Sequence, residues 1–140
     1  MRLCTFQRLA GVMLLALLGI SSAARSQGVP AALPHVAEIQ RCERLSQLRP
    51  EEAIAAAEGV LGQPRLEAAP RLMATACMGI AQFVLGRGED GAATTDVVMT
   101  LLESDALSIN ERQRGRFPAA MLLIRSGRGA QAMGILEDMQ

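Results

Sequence analysis

The chain has no lysine, no tryptophan and no tyrosine, and a single histidine, His35. All fourteen basic residues are therefore arginine. Without lysine there is neither a phosphate-binding P-loop nor a Schiff base, because both need a primary amine at one defined place. Aromatic residues are as scarce: Phe6, Phe83 and Phe117 are the whole set, too few for a module that stacks nucleic-acid bases on rings. One histidine leaves histidine-based hydrolysis and zinc coordination without partners, so His35, beside Pro34, reads as a surface residue. Cysteine is limited to Cys4, Cys42 and Cys77, with no CxxC spacing for thiol–disulfide exchange. No segment alternates apolar and polar residues as a half-buried strand does.

Residues 1–26 follow the order of a secretory signal peptide. Arg2 and Arg8 give a positive start, Leu9–Ile20 is an unbroken apolar run, and the small residues SSAARS follow. Twelve apolar residues fall short of the roughly 20 that span a bilayer. Cleavage fits after Ala24 or after Ser26. Cys4 precedes the apolar run, whereas a lipid-modified cysteine follows it. The expected organisation is a cleaved signal over 1–26, a mobile lead over 27–35 and one helical domain over 36–140. Removing the signal takes away Arg2, Arg8 and Arg25 and no acid, leaving 11 basic against 14 acidic residues. That mild acidity argues against nucleic acid or an anionic membrane surface as partner, and no stable membrane insertion is expected after cleavage.

The rest of the chain reads as helices. Val36, Ile39, Cys42, Leu45 and Leu48 step by three and predict an amphipathic helix ending near Arg49. Pro50-Glu51-Glu52 opens a second, with proline in the first turn and acids where the helix dipole favours them; Ala53, Ile54, Ala57, Val60 and Leu61 give its buried face, and Gly62 with Pro64 closes it. The plainest pattern is Arg71–Glu103. Leu72, Met73, Ala76, Cys77, Ile80, Phe83 and Val84 precede a glycine-rich break over Gly86–Gly91, and Ala93, Val97, Val98, Leu101 and Leu102 follow it. Two apolar faces joined by so short a break predict an antiparallel helical hairpin. Ser108 and Glu111 match a capping box, opening a helix over Ile109–Arg125 kinked by Pro118. Gly127-Arg128-Gly129 breaks it, and Ala130–Met139 forms the last helix. The expected fold is all-α, about six helices in stacked antiparallel hairpins.

Ala53, Ala93 and Ala132 are 40 and 39 residues apart, with Gly88 or Gly127 five residues before the second and third. A fixed period of this size suggests stacked hairpins sharing one core. The pattern resembles tetratricopeptide repeats: Ile80-Ala81, Val84, Gly88, Ala93 and Val97 match in the central unit, Ala119-Ala120, Leu123, Gly127, Ala132 and Leu136 in the third, and Ala53 alone in the first. The resemblance covers Val36–Met139; Sel1-like hairpins share it. It is closest to small exported tetratricopeptide proteins of Gram-negative bacteria, in which a cysteine of the first helix precedes one in the central repeat, as Cys42 and Cys77 do. The resemblance implies a binding scaffold; the expectation built on it is a periplasmic, non-catalytic protein without cofactor that binds a protein or peptide on the concave face stacked repeats create.

Two sets of residues are candidates for a site. Cys42 and Cys77 lie on apolar helix faces and, in an oxidising compartment, form a structural disulfide, stand as two buried thiols, or make a redox or metal site. Arg112, Arg114 and Arg116, with Arg125 and Arg128, concentrate positive charge in the third hairpin. Guanidinium groups there would hold an acidic peptide or a small anion, or lie on a solvated face among Glu89, Asp90, Glu103, Asp105 and Glu111. Met73, Met78, Met99, Met121, Met133 and Met139 have helical spacing and read as core filler. The carboxylate pairs Glu51–Glu52, Glu89–Asp90 and Glu137–Asp138 are adjacent in sequence, so their side chains diverge on a helix. No nucleophile–base pair and no metal set assembles. The leading expectation is the peptide-binding scaffold; the alternative is an accessory subunit holding a small anionic ligand through the arginine-rich hairpin. A homo-oligomer is possible, because the last hairpin is apolar.

Overall fold

A computed structural model of the chain describes residues 33–139; the signal segment and residues 27–32 of the lead lie outside the described residues. Six α-helices and no strand occupy them: α1 (Pro34–Leu45), α2 (Pro50–Leu61), α3 (Ala68–Val84), α4 (Gly88–Leu102), α5 (Ile109–Arg125) and α6 (Gly129–Glu137). The all-α fold of helical hairpins is as the sequence predicts.

Proline sets the first two starts. Pro34 and Pro50 each occupy the first turn of their helix, where the missing N–H costs nothing. α1 thus takes in Pro34 and His35, the end of the expected lead. It also stops at Leu45, short of the expected Arg49, because the residue before Pro50 cannot stay helical: Arg49 has φ −143° and ψ 68°. Leu48 falls in the resulting turn, off the apolar face, and is 82% exposed. α2 packs against both α1 and α3 through Ala53, Ala56, Ala57 and Val60.

The two later hairpins turn in the same way. Gly86, at φ 74°, donates its N–H to the Phe83 carbonyl, and Arg87 donates to Gln82. Gly127, at φ 78°, donates to Ile124, and Arg128 to Leu123. Only glycine takes this left-handed conformation without a Cβ penalty. The glycine-rich break is shorter than expected, since α4 starts at Gly88 and absorbs Glu89, Asp90 and Gly91.

The helix boundaries also correct the sequence alignment of the units. Ala68 and Ile109, Val84 and Arg125, and Gly88 and Gly129 are each 41 residues apart. The counterpart of Ala132 is therefore Gly91, not Ala93. Ala53, Gly91 and Ala132 are each the fourth residue of their helix and each is buried, whereas Ala93 is exposed. The glycines clustered at this turn hid the start of α4 from a pattern based on apolar residues. Val84 and Val97, also expected on buried faces, are 38% and 51% exposed, and Met133, expected as core filler, is 56% exposed.

α3 is the central helix, touching α1, α2, α4 and α5. Leu72 and Ala76 join Val98 and Leu102 of α4, Leu107, and Ala119 and Leu122 of α5 in one cluster. On the other side Cys77 and Ala81 pack with Cys42, Ala53, Ala56 and Ala57. α5 continues through Pro118 for 17 residues. Its start is the predicted capping box: the Glu111 N–H donates to Ser108 Oγ at 3.3 Å, and the Ser108 N–H donates to Glu111 Oε2 at 2.8 Å.

Candidate functional site: a groove along α1, α3 and α5

α1 and α5 both pack against α3, and no Cα atom of one lies within 8 Å of the other, so α3 forms the floor of a groove. One end is lined by Val36 and Ile39 of α1, Ala69 and Pro70 of α3 and Glu111 of α5. The other is lined by Ser46, by Ala76, Cys77 and Ile80 of α3, and by Phe117 and Met121 of α5. The early residues of all three helices meet at one end and the late residues at the other, so the three run in the same direction. The two halves enclose about 340 and about 320 Å³ and share Glu43, Met73 and Arg114. The floor residues Ala69, Met73, Ala76 and Ile80 lie at steps of four, three and four along α3. At roughly 1.5 Å per residue this stripe runs about 16 Å, or three helical turns.

Chemically the groove is apolar with a few charges. Of the floor residues, Ala69, Met73 and Ile80 are half-buried and Ala76 is fully buried; Met73 offers an adaptable thioether at the centre. Arg114 supplies a positive charge and Glu43 and Glu111 negative ones, and none of the three forms an ion pair among the described residues. At the end of the groove the Glu111 carboxyl is held below its ordinary value, first by the Ser108 hydroxyl, then by the Ser108 N–H, with the positive charge of Arg114 adding to the effect.

Cys42 and Cys77 are joined by a disulfide, with their Cα atoms 6.2 Å apart. It ties α1 to α3 beside the groove and so holds one wall to the floor. Both sulfur-bearing residues are buried, at 0% and 3% exposure.

The arginines that the sequence groups together are separated in space. Arg112 donates from Nε to the Leu102 carbonyl at 3.1 Å and from Nη2 to the Ser104 carbonyl at 3.0 Å. Arg116 donates from Nη1 to the Asp138 carbonyl at 2.7 Å. These two line a different hollow, between α4, α5 and α6, together with Glu103, Asp105 and Asp138. Only Arg114 lines the groove. Arg125 is exposed at the end of α5, and Arg128 pairs with Asp96 of α4 and donates to Gln131. The separation of Arg114 was legible: residues two apart on a helix lie on nearly opposite faces. Glu43, Met73 and Phe117 were missed as a set, because their proximity arises from the packing of three helices distant in sequence.

No protein-family model matches the chain, and comparison with curated proteins and with solved structures finds no match.

Proposed function

We propose that the protein is an exported, periplasmic scaffold of tetratricopeptide-like hairpins that binds a protein or peptide partner in the α1–α3–α5 groove and performs no catalysis itself. The observation that carries this reading is the groove: an open apolar channel three helical turns long, with Ala69, Met73 and Ile80 half-buried along its floor and the charges of Glu43, Glu111 and Arg114 on its walls. Such a channel suits a chain segment, which buries side chains along its length, better than a compact ligand. The 41-residue correspondence of the second and third hairpins supports reading them as repeats, whose stacking generates a surface of this kind. The signal-like order of residues 1–26 supports export. The buried disulfide is compatible with it, since such bonds persist in oxidising compartments. Among the described residues, no helix is long and apolar enough to cross a membrane.

The alternative reading, a small anion held by Arg112, Arg114 and Arg116, gains no support from their placement. Two of the three already donate to backbone carbonyls, and the third faces another hollow.

A photo-crosslinking residue in place of Met73, compared in intact cells with one at the exposed Ala55 of α2, tests the proposal. A discrete protein adduct from position 73 and none from 55 is expected. No adduct from 73, or the same adducts from both, would overturn it.

A further inference from the structure

The lining of the groove limits the kind of segment it can seat. Its apolar residues lie on three sides: Val36 and Ile39 on the α1 wall, Met73 and Ile80 on the floor, and Phe117 and Met121 on the α5 wall. An extended chain sends successive side chains to opposite faces, so it would offer side chains to the floor and to solvent and only backbone to the walls. Few groups there could take that backbone's hydrogen bonds. The Ser46 hydroxyl already donates to the Glu43 carbonyl at 3.0 Å, and the Glu111 carboxylate is held in the Ser108 cap. The half of the groove that contains Phe117 and Met121 has no further polar side chain beyond Glu43 and Arg114, which it shares with the other half. Backbone groups left unpaired in an apolar channel are costly. A helix satisfies its own, and at 3.6 residues per turn it turns side chains to the floor and to both walls. Other modes of peptide recognition find little here: among the described residues there is no strand to extend, and Phe117 is the one aromatic ring on the lining, too few for a proline-rich ligand.

The charges are sided as well. Glu43 stands on the α1 wall and Arg114 on the α5 wall, and both line both halves together with Met73, at the midpoint of the groove. Resting on the reading that the partner binds here, we propose that the segment it inserts is an amphipathic α-helix of about three turns, with apolar residues at i, i+3 or i+4 and i+7 facing α3. One flank of that helix carries a basic residue against Glu43, and the other an acidic residue against Arg114. The floor stripe, about 16 Å long, matches roughly 11 residues of such a helix. Met73 and Met121 suit it, because their unbranched thioethers repack around the side chains of a docking helix.

Display selection on the full chain, produced with its own N-terminal segment, tests this. Two libraries of peptides of about 14 residues, roughly four helical turns, carry the same apolar side chains. One spaces them at i, i+3, i+4 and i+7 in a frame of alanine, glutamate, lysine and arginine; the other alternates them in a frame of threonine, valine and proline. The helical frame is expected to give the tightest binders, whose affinity falls at least about tenfold on Met73→Arg with the fold intact by circular dichroism. Glu43→Arg and Arg114→Glu should each cost about two- to fivefold, and changing the peptide's basic residue to glutamate should restore binding to Glu43→Arg. Alternating peptides that bind as tightly and are lost on Met73→Arg would overturn the helix and leave the groove as the binding site. Helical peptides indifferent to both charge reversals would overturn the assignment of the flanks. If neither library yields a peptide that depends on Met73, the groove reading fails and this proposal with it.

Discussion

Gly115 of α5 lies against Leu72 of α3 so closely that a Cβ on the glycine would come 2.5 Å from Leu72 Cδ2 and 3.0 Å from Leu102 Cδ1. Leu72 is 1% exposed, so any shift of its Cδ2 has to be absorbed within the packed core. Gly115→Ala should therefore destabilise the fold by about 1 to 2 kcal/mol: overpacking of a close core contact outweighs the roughly 1 kcal/mol that alanine gains in a helix. Gly134 of α6 and Gly59 of α2 are exposed helical glycines where a Cβ would meet nothing. There the same substitution should stabilise by about 0.5 to 1 kcal/mol. Urea unfolding of the three variants checks both signs.

Breaking the Cys42–Cys77 bond should cost more than either. The bond spans 35 residues, for which restriction of the unfolded chain gives about 3 to 4 kcal/mol. Thermal unfolding with and without reductant, compared with a Cys42→Ala/Cys77→Ala double variant, measures it. The reduced protein should show a lower midpoint, and the double variant should not respond to reductant.

How much of this was legible in the sequence depends on the range of the cause. The proline start of α2, the Ser108–Glu111 box and the bounds of α5 rest on neighbouring residues, and all were readable there. Gly91 was not, because its burial under Phe83 depends on two helices closing around a turn whose length the glycines disguised. The groove was illegible for a related reason. Met73 and Met121 have the spacing of core residues, and only the separation of the α1 and α5 backbones by more than 8 Å leaves them lining an open channel.

Two of the candidate arginines, Arg112 and Arg114, should separate by experiment. Arg112 ties α5 to the carbonyls of Leu102 and Ser104, at the end of α4 and just beyond it, so Arg112→Gln should lower stability by about 1.5 to 3 kcal/mol, the range for hydrogen bonds from a charged donor. Arg114→Gln should leave unfolding unchanged and weaken partner capture only. Chemical denaturation beside a binding assay distinguishes the two.

The capping box makes a prediction with a definite sign in pH. The folded-state pKa of Glu111 lies below its ordinary value of 4.5, so its contribution is present above that value and is lost as pH falls through the folded pKa. Glu111→Gln should thus be less stable than the native chain near neutrality. The gap should close in acid, between pH 4.5 and the lowered pKa. Paired melting curves across that range measure it.

The central claim is that the α1–α3–α5 groove is where the partner binds. Its most direct measurement is the affinity of the purified partner captured through position 73, for the native chain and for Met73→Arg, a substitution at the half-buried centre of the groove. Calorimetry should show a loss of at least about tenfold with the fold intact by circular dichroism. An affinity unchanged by Met73→Arg would contradict the account.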